Sequence, residues 1–172
     1  MNWFKTSSIN IFINKIKEIL KNHSFTKSVM DYYHIPTSEI DSNLKIEICD
    51  LKGKFAEGNG KVIRIDRKLL DRDFFKENFH FVIHEFFHWL KRRSEEKFYF
   101  NDPEEVQSFI LQMTWKFIQG KNKEEVIKII YPIVSAHFKD NGRSKEIFNR
   151  MLNKSLDLYK IYKEGGEFTI EE

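Results

Sequence analysis

The segment from Phe79 to Leu90 constrains the fold most, because as a helix it is apolar on nearly every side. Its apolar side chains are Phe79, Val82, Ile83, Phe86, Phe87, Trp89 and Leu90. The polar positions form one stripe of Glu77, His80, His84 and His88, with Glu85 beside it. A helix that is apolar nearly all round is buried, and buried polar groups need partners. We therefore predict a buried helix over about residues 74–92 with a polar stripe that binds a partner.

The stripe contains the spacing His84-Glu85-x-x-His88. Residues i and i+4 share a helix face, so both imidazoles can reach one metal ion. Glu85 follows at about 100° around the helix, where it can contact a water on that metal. In this HExxH pattern the histidines bind zinc and the glutamate is the general base. A core helix whose histidines hydrogen-bond to neighbouring groups is the alternative.

Composition excludes several classes of protein. The chain has 172 residues, 41% of them apolar and 17 of them Phe, which excludes disorder. This length is enough for one domain with its own core, and we predict a single domain over residues 1–172. The net charge of +3 comes without the clustered basic stripe of a nucleic-acid-binding protein, so no nucleic-acid partner is predicted.

The cysteine content and the N-terminus indicate the compartment. The single cysteine cannot form an internal disulfide, which favours an intracellular setting. Asn14, Lys15 and Lys17 interrupt the apolar residues of the N-terminal region, so no signal peptide or membrane span is predicted. We therefore expect a cytoplasmic protein without a membrane partner. The basic run Lys91–Arg93 is interpreted as a solvated helix C-terminus.

Periodicity predicts a mostly helical α+β fold. Helical spacing and capping residues predict helices over residues 9–22, 26–34, 74–92, 102–119, from 122, and after 142. Residues 44–50 and 62–66 are predicted strands, and the turn residues between them favour an antiparallel pair. The expected order is an N-terminal helical segment (1–40), a small antiparallel sheet with the active-site helix (41–92), and a C-terminal helical part (93–172). The first segment is a candidate for keeping the site latent.

A catalytic zinc site needs a third protein ligand. No histidine follows closely downstream, and the nearest carboxylates are Glu95, Glu96, Asp102, Glu104 and Glu105. On the predicted helix after Asp102, Glu105 lies roughly 100–120° from the middle of the apolar face, and Glu104 roughly 140–160°. Glu105 therefore borders the buried face and is the predicted ligand. Glu104 is the alternative, and its position suits a solvated residue of the first helical turn.

These residues resemble those of gluzincin metallopeptidases, which have HExxH followed by a downstream Glu. The segment Glu105-Val-Gln-Ser-Phe-Ile110 is similar to the third-ligand helix of the ImmA/IrrE-like branch, and the small size resembles that of the minigluzincins. The resemblance covers about residues 44–118. It departs at Phe86-Phe87, where the family usually has Leu-Gly, and at the residue after Glu105, where it usually has Ala.

The resemblance implies a zinc-dependent endopeptidase. His84, His88 and Glu105 would bind Zn²⁺, and Glu85 would activate the metal-bound water. The strand 62–66 would be the edge strand along which a peptide or protein substrate lies. The alternative is a non-catalytic or weakly active zinc-binding regulatory or interaction protein on a zincin scaffold.

A peptidase of this kind also needs a donor for the oxyanion that develops during hydrolysis. His137 is the candidate, because it continues the apolar face of Ile130 and Val134 and is therefore expected to point inward. An ordinary core histidine is the alternative interpretation of His137.

Overall fold

The structure, a computed structural model, describes residues 3–93, 103–139 and 142–166. The chain divides into two compact units, Met1–Lys97 and Phe98–Glu172. The candidate carboxylates Glu95, Glu96 and Asp102 lie outside the described residues. Whether residues 1–172 act as a single domain stays a prediction.

The first unit begins with helices that match the predicted helical N-terminal segment. They are α1 (Trp3–Asn22), α2 (Ser24–Tyr32) and α3 (Ser38–Asn43). Ile16 and Leu20 on α1 are fully buried, as their helical spacing predicts. Helix α1 packs against α2, α3 and the first strand of the sheet. These helices therefore contribute to the core of the unit, and the latency role of residues 1–40 stays a prediction.

The sheet of the described residues is mixed. Its strands are β1 (Lys45–Cys49), β2 (Ala56–Gly58) and β3 (Val62–Asp66), in the order β1-β3-β2. β1 pairs with β3 in parallel, so the prediction that these two strands pair antiparallel is wrong. The turn after Gly58 instead joins β2 to β3, which do pair antiparallel.

The physical reason for this topology lies in the connections. The chain leaves β1 and crosses to the far side of the sheet before it forms β2. The tight turn at Asn59–Lys61 then reverses the chain, so that β3 enters the middle of the sheet in the direction of β1. Asn59 stabilises this turn, since its Oδ1 accepts from the backbone N–H groups of Lys61 and Val62, both at 3.0 Å. β3 is thus the central strand, and the prediction that it is the substrate-binding edge strand is wrong.

Helix α4 (Arg72–Lys91) is the predicted active-site helix and packs against β2 and β3. All the apolar residues predicted to bury it are buried. Its start is set by two aspartates. Asp71 caps the helix by accepting from the N–H groups of Asp73 and Phe74, at 3.1 and 3.0 Å. Asp66 caps the short 3-10 turn Arg67–Leu70 that leads into it.

The end of α4 differs from its prediction. Lys91 is only 8% exposed, and its ammonium lies 5.5 Å from the ring centroid of Tyr33 and 5.8 Å from that of Phe87. The aromatic faces attract the cation, and the aliphatic stem fills apolar space. The prediction of a wholly solvated basic run is therefore wrong for Lys91, whereas Arg92 is exposed.

The second unit is helical in its described residues, with α5 (Pro103–Ile118), α6 (Lys123–His137) and α7 (Ser144–Glu164). The predicted capping box of α6 is confirmed by reciprocal bonds of 2.9 Å between Asn122 and Glu125. Pro132 lies inside α6 without ending it. The predicted α+β class, mostly helical, is confirmed. Within the described ranges, no helix has the length and apolar character needed to cross a membrane.

Candidate metal centre

His84 and His88 present their Nε2 atoms to each other at 3.2 Å from successive turns of α4. Two imidazoles on one tetrahedral zinc, each with a Zn–N bond of about 2.0–2.1 Å, hold their nitrogens about 3.3–3.4 Å apart. The observed separation therefore matches the bite of a shared metal ion. At this distance, one imidazole N–H can donate to the other ring nitrogen, or both nitrogens can bind the same cation. The surrounding helix is buried, with His84 itself 9% exposed, which limits the rings to few orientations.

Glu105 completes a possible ligand set. His84, His88 and Glu105 each offer one ligand atom, and these atoms all lie within 4.8 Å of one another. Among the residues that the structure describes, this is the group of His, Cys, Asp and Glu side chains found able to hold a metal. It contains Glu105 and not the neighbouring Glu104, in agreement with the helical wheel.

The chemistry of the donors fits a transition-metal dication. Two neutral imidazoles and one carboxylate provide nitrogen and oxygen ligands with a total charge of about −1, a set that suits Zn²⁺ and its first-row neighbours. Three protein ligands leave a coordination position open, which distinguishes catalytic from structural zinc sites. The side chains could therefore hold a metal ion.

Glu85 lies beside the edge of the sheet. A Cβ atom built on Gly58 would be 2.6 Å from Glu85 Oε2 and 3.5 Å from Glu85 Cβ. The carboxylate thus occupies space that any side chain at position 58 would need. The strand register explains why position 58 faces Glu85. Ala56 and Gly58 pair with the buried residues Ile65 and Ile63 and therefore lie on the same face of the sheet.

Gly58 is not among the predicted site residues. It falls between the two predicted strands, among the predicted turn residues, and a three-residue strand gives little alternation to detect. The available signal is the pair of small residues Ala56 and Gly58 at alternate positions, which indicates a strand face that another element approaches closely.

His137 is the last residue of α6, and its side chain is 42% exposed. The prediction that it points inward with Ile130 and Val134 is therefore wrong, as is the alternative of an ordinary core histidine. Its Nε2 lies 4.0 Å from Glu105 Oε2, and its ring contacts Phe109 edge-on at 5.7 Å. The structure thus puts His137 next to the predicted third ligand, while its role stays a prediction.

His80, one turn before His84, lies outside the ligand set. It is 1% exposed, and its ring centroid is 4.2 Å from that of Phe81. Burial among these groups fits the structural role that is the ordinary one for a core histidine.

Comparison with known proteins gave no match: no family model, no curated protein and no solved structure is significantly similar to this chain.

Proposed function

We propose that this protein is a zinc-dependent endopeptidase. The observation that carries the proposal is the combination of one possible ligand set, His84, His88 and Glu105, with a carboxylate that is not part of it. Metal binding alone does not require Glu85, whereas hydrolysis needs a base next to the metal's open position. The HExxH spacing and the gluzincin resemblance support the same assignment.

When bound, zinc would lower the pKa of a coordinated water towards roughly 7 and polarise the scissile carbonyl. Glu85 then accepts a proton from the attacking water through its carboxylate. The same carboxylate returns that proton to the nitrogen of the leaving amine, so the base is regenerated in each cycle. Because Glu85 is held in a helix packed on the sheet, it performs both transfers without reorganising the backbone.

We propose that the substrate backbone pairs with β2, the edge strand beside α4. Backbone bonds join Asp66 N to Phe55 O at 2.9 Å and Asn59 N to Val62 O at 3.4 Å. In an antiparallel ladder, hydrogen-bonded residues alternate with residues whose N–H and C=O point away from the partner. Ala56 and Gly58 therefore direct their backbone groups away from β3, to the edge of the sheet that no other strand of the described residues covers, where an extended peptide can add as a further strand.

His137 remains the proposed donor to the oxyanion. Its position 4.0 Å from Glu105 Oε2 supports a role next to the metal ligands, and its exposure leaves the imidazole accessible to a substrate. Removing one such donor typically lowers kcat by about 100–1000-fold. We expect His137→Ala to cause a loss in this range with KM changed little, and an unchanged kcat would refute the role.

Metal binding is tested first. Wild-type protein should bind one equivalent of zinc, measured by competition with a chromophoric chelator. Glu105→Ala should weaken binding by more than the roughly 10–100-fold that loss of an outer-shell partner costs. The matched control is Glu104→Ala, which removes a carboxylate of the same helical turn and should leave the affinity unchanged. Equal effects of the two substitutions would refute Glu105 as the ligand.

Catalysis is tested by incubating the zinc-loaded protein with a diverse peptide mixture and sequencing the products by mass spectrometry. Glu85→Gln should keep zinc but lower cleavage by about 100–10,000-fold, the usual contribution of a general base. Asp73→Asn, a change at the exposed start of the same helix and outside the polar stripe, is the control and should cleave normally. Zinc binding without any cleavage by wild type would favour the non-catalytic regulatory alternative.

A further inference from the structure

We propose that Gly58 is a positioning residue for Glu85: its missing side chain leaves the space in which the carboxylate of the base is held. This inference rests on the proposed peptidase function and specifies how the edge strand and the base act together. It concerns a residue outside the HExxH motif and outside the ligand set.

The first observation behind this proposal is the lack of space for a side chain at position 58. A methyl group at position 58 would lie 2.6 Å from Glu85 Oε2. This distance is shorter than the contacts that Cβ atoms make in proteins, so one of the two groups would have to move. The atom in the way is the end of a flexible side chain and not backbone, so the carboxylate and not the strand would yield. The backbone torsion φ of Gly58 is not in the positive range, so alanine fits its backbone conformation without strain.

The second observation is the direction of the backbone groups of Gly58 in strand β2. Gly58 directs its own N–H and C=O to the open edge of β2, while its Cα faces Glu85. A peptide paired with Gly58 therefore has one of its residues held at the strand position nearest the base. The same glycine thus adjoins both the proposed substrate backbone and the carboxylate of Glu85.

The expected consequence is a defect in catalysis and not in zinc binding. Relieving the clash requires the carboxylate to move by about 1 Å, and misplacement of this size in an active site costs about 100-fold in rate. We expect Gly58→Ala to lower kcat by about 100-fold, with KM and zinc affinity each within about threefold of wild type. Gly142→Ala adds the same methyl group where nothing lies within 4 Å and serves as the control.

A second background tests whether Gly58 acts through Glu85. Glu85→Asp retracts the carboxylate by one methylene, so that the methyl of Gly58→Ala no longer meets it. In that background Gly58→Ala should change the residual kcat by less than about threefold. A crystal structure of zinc-loaded Gly58→Ala should show an unmoved β2 and a displaced Glu85 carboxylate.

The outcomes are distinguishable. Failure of zinc-loaded wild type to cleave any peptide overturns the proposed function and this inference with it. Cleavage by wild type and by Gly58→Ala at equal rates overturns the inference alone. Parallel loss of zinc binding and activity in Gly58→Ala also overturns it, because the residue would then act through the fold of the site and not through the base.

Discussion

Asp66 offers the sharpest test of how the sheet is joined to helix α4. It ends β3, is 3% exposed, and accepts from the N–H of Leu51 at 2.7 Å and of Lys68 at 2.9 Å. Leu51 follows β1, and Lys68 lies in the 3-10 turn before α4. One carboxylate therefore joins the end of β1, the end of β3 and the lead-in to α4.

Asp66→Ala removes the acceptor for both N–H groups. Both bonds are part-buried, so each N–H group that loses its acceptor should cost about 1.5 kcal/mol, in the lower part of the roughly 1–3 kcal/mol for a buried donor, and the two together should lower the free energy of unfolding by about 3 kcal/mol. For a chain of this length, that corresponds to a decrease in Tm of roughly 6–12 °C. Urea denaturation followed by tryptophan fluorescence measures the loss directly, with an unchanged m-value as the sign that both states stay comparable.

Asp71→Ala is the matched control, because Asp71 also accepts from two backbone N–H groups but is exposed. Water replaces an exposed acceptor, so this helix cap should contribute only about 1 kcal/mol. Asp66→Ala should therefore lower the free energy of unfolding clearly more than Asp71→Ala does. Equal losses in the two variants would refute the claim that burial of the carboxylate makes its bonds valuable.

The same carboxylate predicts an acid limit to stability. Burial alone would raise the pKa of Asp66, but the N–H groups of Leu51 and Lys68 outweigh it and hold the pKa below its ordinary value. As pH falls, the unfolded chain therefore takes up this proton first, at about pH 3.9. The stability that Asp66 contributes is complete above that pH and is lost as the pH falls through the folded-state pKa. The difference in free energy of unfolding between wild type and Asp66→Ala should therefore become smaller as the pH falls through this range.

Further predictions concern other parts of the chain. His23 caps α2 by accepting from the N–H of Phe25 at 3.2 Å, and burial lowers the pKa of His23. In thermal melts, the Tm of wild type should therefore fall as the pH drops below about 6.5, and the Tm of His23→Asn should fall less over the same range. Asn122→Ala should lower the free energy of unfolding by about 1 kcal/mol in urea, since it removes the capping box of α6. Gly120 has φ +86°, so Gly120→Ala should cost about 1–2 kcal/mol in the same assay although nothing crowds it. Phe87→Ala should lower the free energy of unfolding by about 3–5 kcal/mol, because Phe87 on α4 is only 1% exposed.

Local patterns were enough to predict the helical part of the site. The spacing of His84 and His88 brings their nitrogens together on any regular helix, and the apolar residues around them predict burial of that helix. The capping box at Asn122 and the helix end at Gly120 are likewise interactions between residues a few positions apart. Such features depend on backbone geometry that repeats every turn, so the sequence is sufficient to identify them.

Only the tertiary structure decided which strand lies beside Glu85. The direction of β1 relative to β3 depends on how the chain crosses the sheet, and β2 is too short for its alternation to be recognised. The proposed role of Gly58 follows from a close approach between strand β2 and helix α4, from residues that are 27 positions apart in the chain, 58 and 85. The burial of Lys91 arises in the same way, from aromatic rings supplied by α4 itself and by the residue after α2. The sequence by itself therefore determined the chemical groups of the candidate site. Their surroundings were decided by packing, because contacts between distant segments leave no periodic signal in the chain.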